Sequence, residues 1–169
     1  MSLQTVIAHL APLARQLRSS ILPGGGDPAM LFNAIVEAGY LVAAADGTVD
    51  EKELDTLKSA VATLTEGEMS QSDIDTLLED LIDLRKSEGE EPRCKAVGSI
   101  LREANAGEEG IYLASAIAYV SAGLSAPELA VMEKIARPAG VSGAQLAVIA
   151  TSVREEIARR STGFDAPRA

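Results

Sequence analysis

The sequence has few of the cysteine and histidine residues on which zinc sites, disulfide bonds and histidine-dependent catalysis rely. Its 169 residues contain no tryptophan, one histidine and one cysteine, and aromatic residues make up only 3% of the chain. The single Cys94 excludes an internal disulfide and any multi-cysteine metal motif. His9 has no second histidine or cysteine at ligand spacing, so zinc sites and histidine triads are not indicated. We expect no enzymatic activity.

Long apolar runs are also missing. The two most apolar stretches, residues 29–45 and 111–124, are either interrupted by Asn33 and Glu37 or too short to cross a bilayer. The apolar start of the chain is broken by proline and arginine, which makes it a poor signal peptide. The sequence therefore predicts a soluble, cytoplasmic protein without a transmembrane segment.

Positive charge is scarce in the middle of the chain. The net charge is −10, and residues 50–109 account for all of it with 7 Lys and Arg against 17 Asp and Glu, while the remainder holds 8 of each. An acidic surface disfavours nucleic acid, because binding a phosphate backbone depends on clustered lysine and arginine. Cations and basic proteins are the partners that this charge favours.

Helical periodicity is what the sequence does have. Hydrophobic residues make up 47% of the chain, alanine and leucine are abundant, and apolar positions recur every three or four residues. The pattern predicts a single all-α domain of seven or eight helices over residues 1–161, beginning with a helix at 3–20, and a flexible tail at 162–169. Predicted helix starts or breaks fall at Asp27-Pro28, Ser72, Pro92, Gly107–Gly110 and Ser142. Residues expected to share one core are Leu41, Leu57, Leu78, Leu101, Ile117 and Ile149.

One short turn carries most of the functional signal. A long apolar helix stops at Asp46-Gly47, and a charged helix follows in which Asp50 can cap the first turn and Glu53 can reach back to the cap. Gly47 is expected to take a positive φ. A second copy of this pattern, with Ala122-Gly123 in place of Asp-Gly and a Ser125 to Glu128 capping box, indicates a pseudo-duplicated helix-turn-helix.

The sequence Ala44-Ala45-Asp46-Gly47-Thr48-Val49-Asp50-Glu51-Lys52-Glu53 after an alanine-rich helix resembles the tellurite-resistance protein B family, the TerB-like domains. The resemblance covers residues 28–158. It implies an all-helical TerB-like fold, a divalent cation held by acidic residues near the Asp-Gly turn, and a role in the response to tellurite or envelope stress. The metal residues would then be Asp46, Asp50 and Glu53.

The residues themselves leave two interpretations of this turn open. Asp46 and Asp50 could hold a hard cation such as Ca²⁺, Mg²⁺ or Mn²⁺ together with water, although an EF-hand register would place Val42 and Ala44 at ligand positions. The same residue types also form an ordinary capped helix start without metal. Because the second copy keeps only Glu128, any cation is expected at the first turn alone.

A row of carboxylates on the predicted fourth helix gives a second functional signal. It is either a solvated helix face or a docking surface for a basic protein. The alternative function is therefore a helical protein-interaction module that uses this acidic face and binds no metal. The carboxylates are Asp73, Asp75, Glu79, Asp80 and Asp83.

Overall fold

The computed structural model of the chain describes residues 27–122 and 124–162. Seven helices and no strand occur within these ranges, which confirms the all-α class. The predicted helix at 3–20 and residues 163–169 of the predicted tail lie outside the described residues. No described helix has the length and apolarity needed to cross a membrane. The helices are α1 Pro28–Ala43, α2 Glu51–Leu64, α3 Gln71–Glu88, α4 Glu90–Glu103, α5 Gly107–Ala122, α6 Ala126–Ala136 and α7 Gly143–Thr162.

The two most apolar helices, α1 and α5, form the centre of the domain. They pack on each other, both contact α2, α4 and α6, and α5 also packs on α7. Gly39 lies at their crossing, where a Cβ atom would come within 3.1 Å of the Ile117 side chain. The predicted shared core is confirmed, because its six members are at most 8% exposed and belong to one cluster: Leu41, Leu57, Leu78, Leu101, Ile117 and Ile149.

Helix starts follow the local capping chemistry, with one correction. The prediction that Ser72 caps the third of these helices is wrong, since α3 begins two residues earlier with Ser70 as its N-cap. Ser70 Oγ accepts a hydrogen bond from Asp73 N at 3.1 Å, and Asp73 Oδ2 accepts one from Ser70 N at 3.3 Å. Ser70 and Asp73 thus complete a reciprocal capping box, which satisfies two free backbone donors at once.

Two other predicted boundaries also shift. Pro92 lies in the first turn of α4 rather than at its start, because Gly89, at a φ of +91°, ends α3 directly before Glu90. The predicted break at Gly107–Gly110 is instead the first turn of α5. A Cβ atom on Gly110 would lie 2.6 Å from a Leu101 methyl group, so this glycine permits close packing of α5 against α4 rather than ending a helix.

The two helix-turn-helix copies share their capping geometry. Asp50 and Ser125 have nearly the same backbone angles, with φ −75° in both and ψ of 169° and 166°. Both form a complete capping box, with Glu53 and Glu128 respectively. Gly123, which would be the counterpart of Gly47, lies outside the described residues.

Candidate functional site

The Asp-Gly turn joins α1 to α2 and lies at the surface. Helix α1 ends at Ala43, and Gly47 N donates a hydrogen bond to Ala44 O at 3.0 Å. Gly47 has a φ of +113°, as the sequence predicted. Asp46 precedes it and is exposed. The carbonyl groups at the end of α1 therefore face a short turn whose backbone conformation depends on glycine.

Two of the three predicted metal residues serve as helix caps. Asp50 Oδ1 accepts a hydrogen bond from Glu53 N at 2.8 Å, and Glu53 Oε2 accepts one from Asp50 N at 2.9 Å. One oxygen of each carboxylate is thus bound to the backbone of α2. The structure brings Asp50 and Glu53 together through this capping box, while Asp46 lies on the other side of Gly47 in sequence and has a solvent-exposed side chain.

Arg85, at the end of α3, binds the turn and was missed by the sequence reasoning. Its Nη2 donates to Ala44 O at 2.9 Å and its Nη1 donates to Gly47 O at 3.3 Å. A cation at this position is favourable, because the C-terminal carbonyls of a helix lack intrahelical partners and carry partial negative charge. The contacts span 41 and 38 residues of sequence, so no local pattern predicted them.

Arg85 also belongs to a chain of ion pairs that links α3 to two more helices. Its Nη2 lies 3.3 Å from Glu90 Oε2 at the start of α4, and Glu90 Oε1 lies 2.9 Å from Lys134 Nζ on α6. Burial opposes ionisation of Glu90, but the hydrogen bonds from Lys134 and Arg85 outweigh it and hold the Glu90 pKa below its ordinary value. The turn is therefore fastened to α3, α4 and α6.

This arrangement favours a capped, arginine-bound turn over an ion cage. Calcium sites need six or more oxygen ligands, commonly carboxylates and backbone carbonyls. At this turn the carbonyl groups of Ala44 and Gly47 already accept from a guanidinium, whose positive charge would also repel a metal ion. Across the described part of the chain, no group of three or more His, Cys, Asp or Glu side chains is arranged to hold a metal.

Two carboxylates in the row on α3 are bound to other groups of the protein. Asp73 belongs to the Ser70 cap, and Asp75 lies 2.9 Å from Lys58 of α2, whose hydrogen bond lowers the Asp75 pKa. The remaining members are solvent-exposed and form what we call the α3 acidic face: Glu79, Asp80 and Asp83.

The positive charge of a second arginine is also paired with carboxylates of the protein. Arg93 of α4 donates from Nε and Nη2 to the two carboxylate oxygens of Glu37 on α1, at 2.7 and 2.8 Å. It also binds Glu88 at 3.0 Å. Glu37 is only 4% exposed, and its hydrogen bonds raise the Arg93 pKa. Burial of such a carboxylate is tolerable because a bidentate guanidinium partner compensates it.

Cys94, Glu128 and His9 are the remaining candidates for chemistry. Cys94 is fully buried, and burial raises the pKa of its thiol to about 11, so it carries little thiolate near neutral pH. At the second turn, Glu128 Oε2 accepts from Ser125 N at 2.6 Å as part of the capping box. His9 lies outside the described residues.

Comparisons with protein-family models, with curated proteins and with solved structures found no match to this chain.

Proposed function

We propose that this protein is a non-enzymatic, helical protein-interaction module that binds a basic partner protein through the α3 acidic face. Tellurite resistance, the TerB-like family and the cation site at Asp46, Asp50 and Glu53 stay predictions of the sequence. The proposal takes the Asp-Gly turn as a structural connection that Arg85 holds in place without metal.

One observation supports the proposal most directly. Residues 50–109 contain few lysine and arginine side chains. Three of these side chains form ion pairs within the protein: Lys58 pairs with Asp75, Arg85 with Glu90, and Arg93 with Glu37. In the described part of the chain, Asp80 and Asp83 form no ion pair and are exposed. Neighbouring exposed carboxylates make the local electrostatic potential more negative. Such a potential speeds and orients association with a positively charged surface.

Cross-linking of the full chain in a lysate of its source organism tests this function. The α3 acidic face is neutralised by Glu79→Gln, Asp80→Asn and Asp83→Asn together. The matched control neutralises three exposed carboxylates on other helices, by Glu109→Gln, Glu133→Gln and Glu155→Gln. We expect one recurring basic partner, identified by mass spectrometry, that is lost from the first variant, retained by the control and unaffected by a chelator. Equal capture by both variants would contradict the proposal, and capture abolished by the chelator would favour the metal prediction.

A further inference from the structure

A groove separates α1 from α3 where both helices pack against α4. It has a volume of about 770 Å³. Helix α1 supplies one wall, α3 supplies the other, and Ile100 and Arg93 of α4 lie between them. We call this feature the α1/α3 groove. Two residues of the α3 acidic face, Asp80 and Asp83, line its edge, so the groove adjoins the surface that the proposed function uses.

The groove has an apolar lining that is open to solvent. Met30 is 52% exposed, and in the described part of the chain Val148 is the other large apolar side chain that is this exposed. Leu77, Leu84 and Ile100 are half-buried in the same groove. A flexible methionine beside partly exposed leucine side chains is typical of sites that adapt to apolar partner side chains.

The rim of the groove carries exposed negative charge. Asp27, Asp80 and Asp83 are exposed at its edge. The lining contains one described cation, Arg93, and its guanidinium is already bound by Glu37 and Glu88. An apolar floor with an acidic rim matches a ligand that is apolar on one side and cationic along its flanks.

We propose that the α1/α3 groove binds an amphipathic helix of the partner protein. Its apolar side contacts Met30, Leu77 and Ile100, and its lysine or arginine side chains pair with Asp80 and Asp83. The wall from Asp27 to Glu37 is about 15 Å long at the helical rise of 1.5 Å per residue, which accommodates anchors at i, i+4 and i+7 spanning about 10 Å. This inference rests on the proposed function and names the site and the shape of the ligand.

The test uses a synthetic peptide of about 15 residues that places leucines on one helical face and lysines on its flanks, and a scrambled peptide of the same composition. Both are titrated into the isotope-labelled full chain and followed by NMR shifts. We expect saturable binding of the first peptide, with the largest shifts at Met30, Leu77 and Ile100. Asp80→Asn with Asp83→Asn, and separately Met30→Gln, should each weaken binding about fivefold or more, as two lost ion pairs or a lost apolar contact would.

The matched control removes two carboxylates of α2 outside the groove, by Glu51→Gln with Asp55→Asn, and leaves the same net charge as the Asp80 and Asp83 variant. It should change the affinity less than about twofold. Equal binding of the scrambled peptide would overturn the groove while leaving the acidic docking function standing. Equal weakening by both double variants would count against both the groove and the α3 acidic face. Failure of both peptides to bind the wild-type chain would count against the proposed function as well. A wild-type dimer that Met30→Gln dissociates in sedimentation would show a second copy in the groove and overturn the partner-helix assignment.

Discussion

At the scale of single residues, Arg85 is the side chain that binds the Asp-Gly turn from another helix. The sequence showed three acidic residues at one turn and left open both a metal site and an ordinary capped helix start. The structure adds a guanidinium that binds two turn carbonyls, at 2.9 and 3.3 Å, and one carboxylate of α4. A permanently charged side chain can thereby supply the positive charge that the carbonyl groups favour.

Replacing Arg85 by methionine should destabilise the fold by about 1–3 kcal/mol, because the part-buried Ala44 carbonyl, the exposed Gly47 carbonyl and the Glu90 carboxylate would lose a charged donor. Urea unfolding of the full chain measures the change. Lys86→Met is the matched control, since Lys86 is the next residue of the same helical turn and is exposed; it should cost less than about 0.5 kcal/mol. Equal effects of the two substitutions would show that Arg85 does not hold the turn.

The pKa of Glu90 gives the same network a pH signature. Because the folded-state pKa lies below the ordinary value of 4.5, the ionised carboxylate stabilises the fold above that value, and this contribution is lost as the pH falls through the folded-state pKa. The difference in thermal midpoint between wild type and Glu90→Gln should therefore be largest near neutral pH and shrink as the pH is lowered below 4.5. A difference that stays constant down to acid unfolding would refute the role assigned to Glu90.

At the scale of helices, the boundaries that have local chemical signals were predictable. Asp27, Asp50, Ser125 and Ser142 begin helices as their capping patterns indicated, because each cap bonds to residues two or three positions away. Errors arose where the deciding contact was not local. From the sequence, Gly110 was expected to break a helix. Its lack of a side chain instead allows α5 to pack closely against Leu101 of α4.

Gly47 offers a test of the turn that leaves the carboxylates unchanged. Apart from its chain neighbours, no atom lies within 4 Å of a Cβ built on Gly47, so alanine there strains only the backbone, whose φ is +113°. We expect Gly47→Ala to lower the free energy of unfolding by about 1–2 kcal/mol. Gly143→Ala is the control, because its Cβ is equally unobstructed and its φ is not positive. Equal free energies of unfolding for the two variants would mean that the turn does not require glycine.

At the scale of the whole molecule, the sequence predicted the fold class and the core better than the sites. Core positions repeat every three or four residues, so Leu57 and Leu101 could be assigned to the interior from periodicity. The ion pair between Arg93 and Glu37 joins residues 56 positions apart, and the α1/α3 groove is made by three separate helices. Such features depend on how helices are placed relative to one another, which a single sequence pattern does not encode.

Central to the proposed function is that Arg85 holds the Asp-Gly turn without a divalent cation. Calorimetric titration of the full wild-type chain with Ca²⁺ and then Mn²⁺, with the Asp46→Ala variant beside it, tests this claim most directly. The account predicts no saturable heat up to roughly 1 mM cation for either protein, since the turn carbonyls are occupied and the affinity of a calcium site depends on its ligand count. Saturable binding by the wild type that disappears in Asp46→Ala would contradict the account and place a metal at the turn.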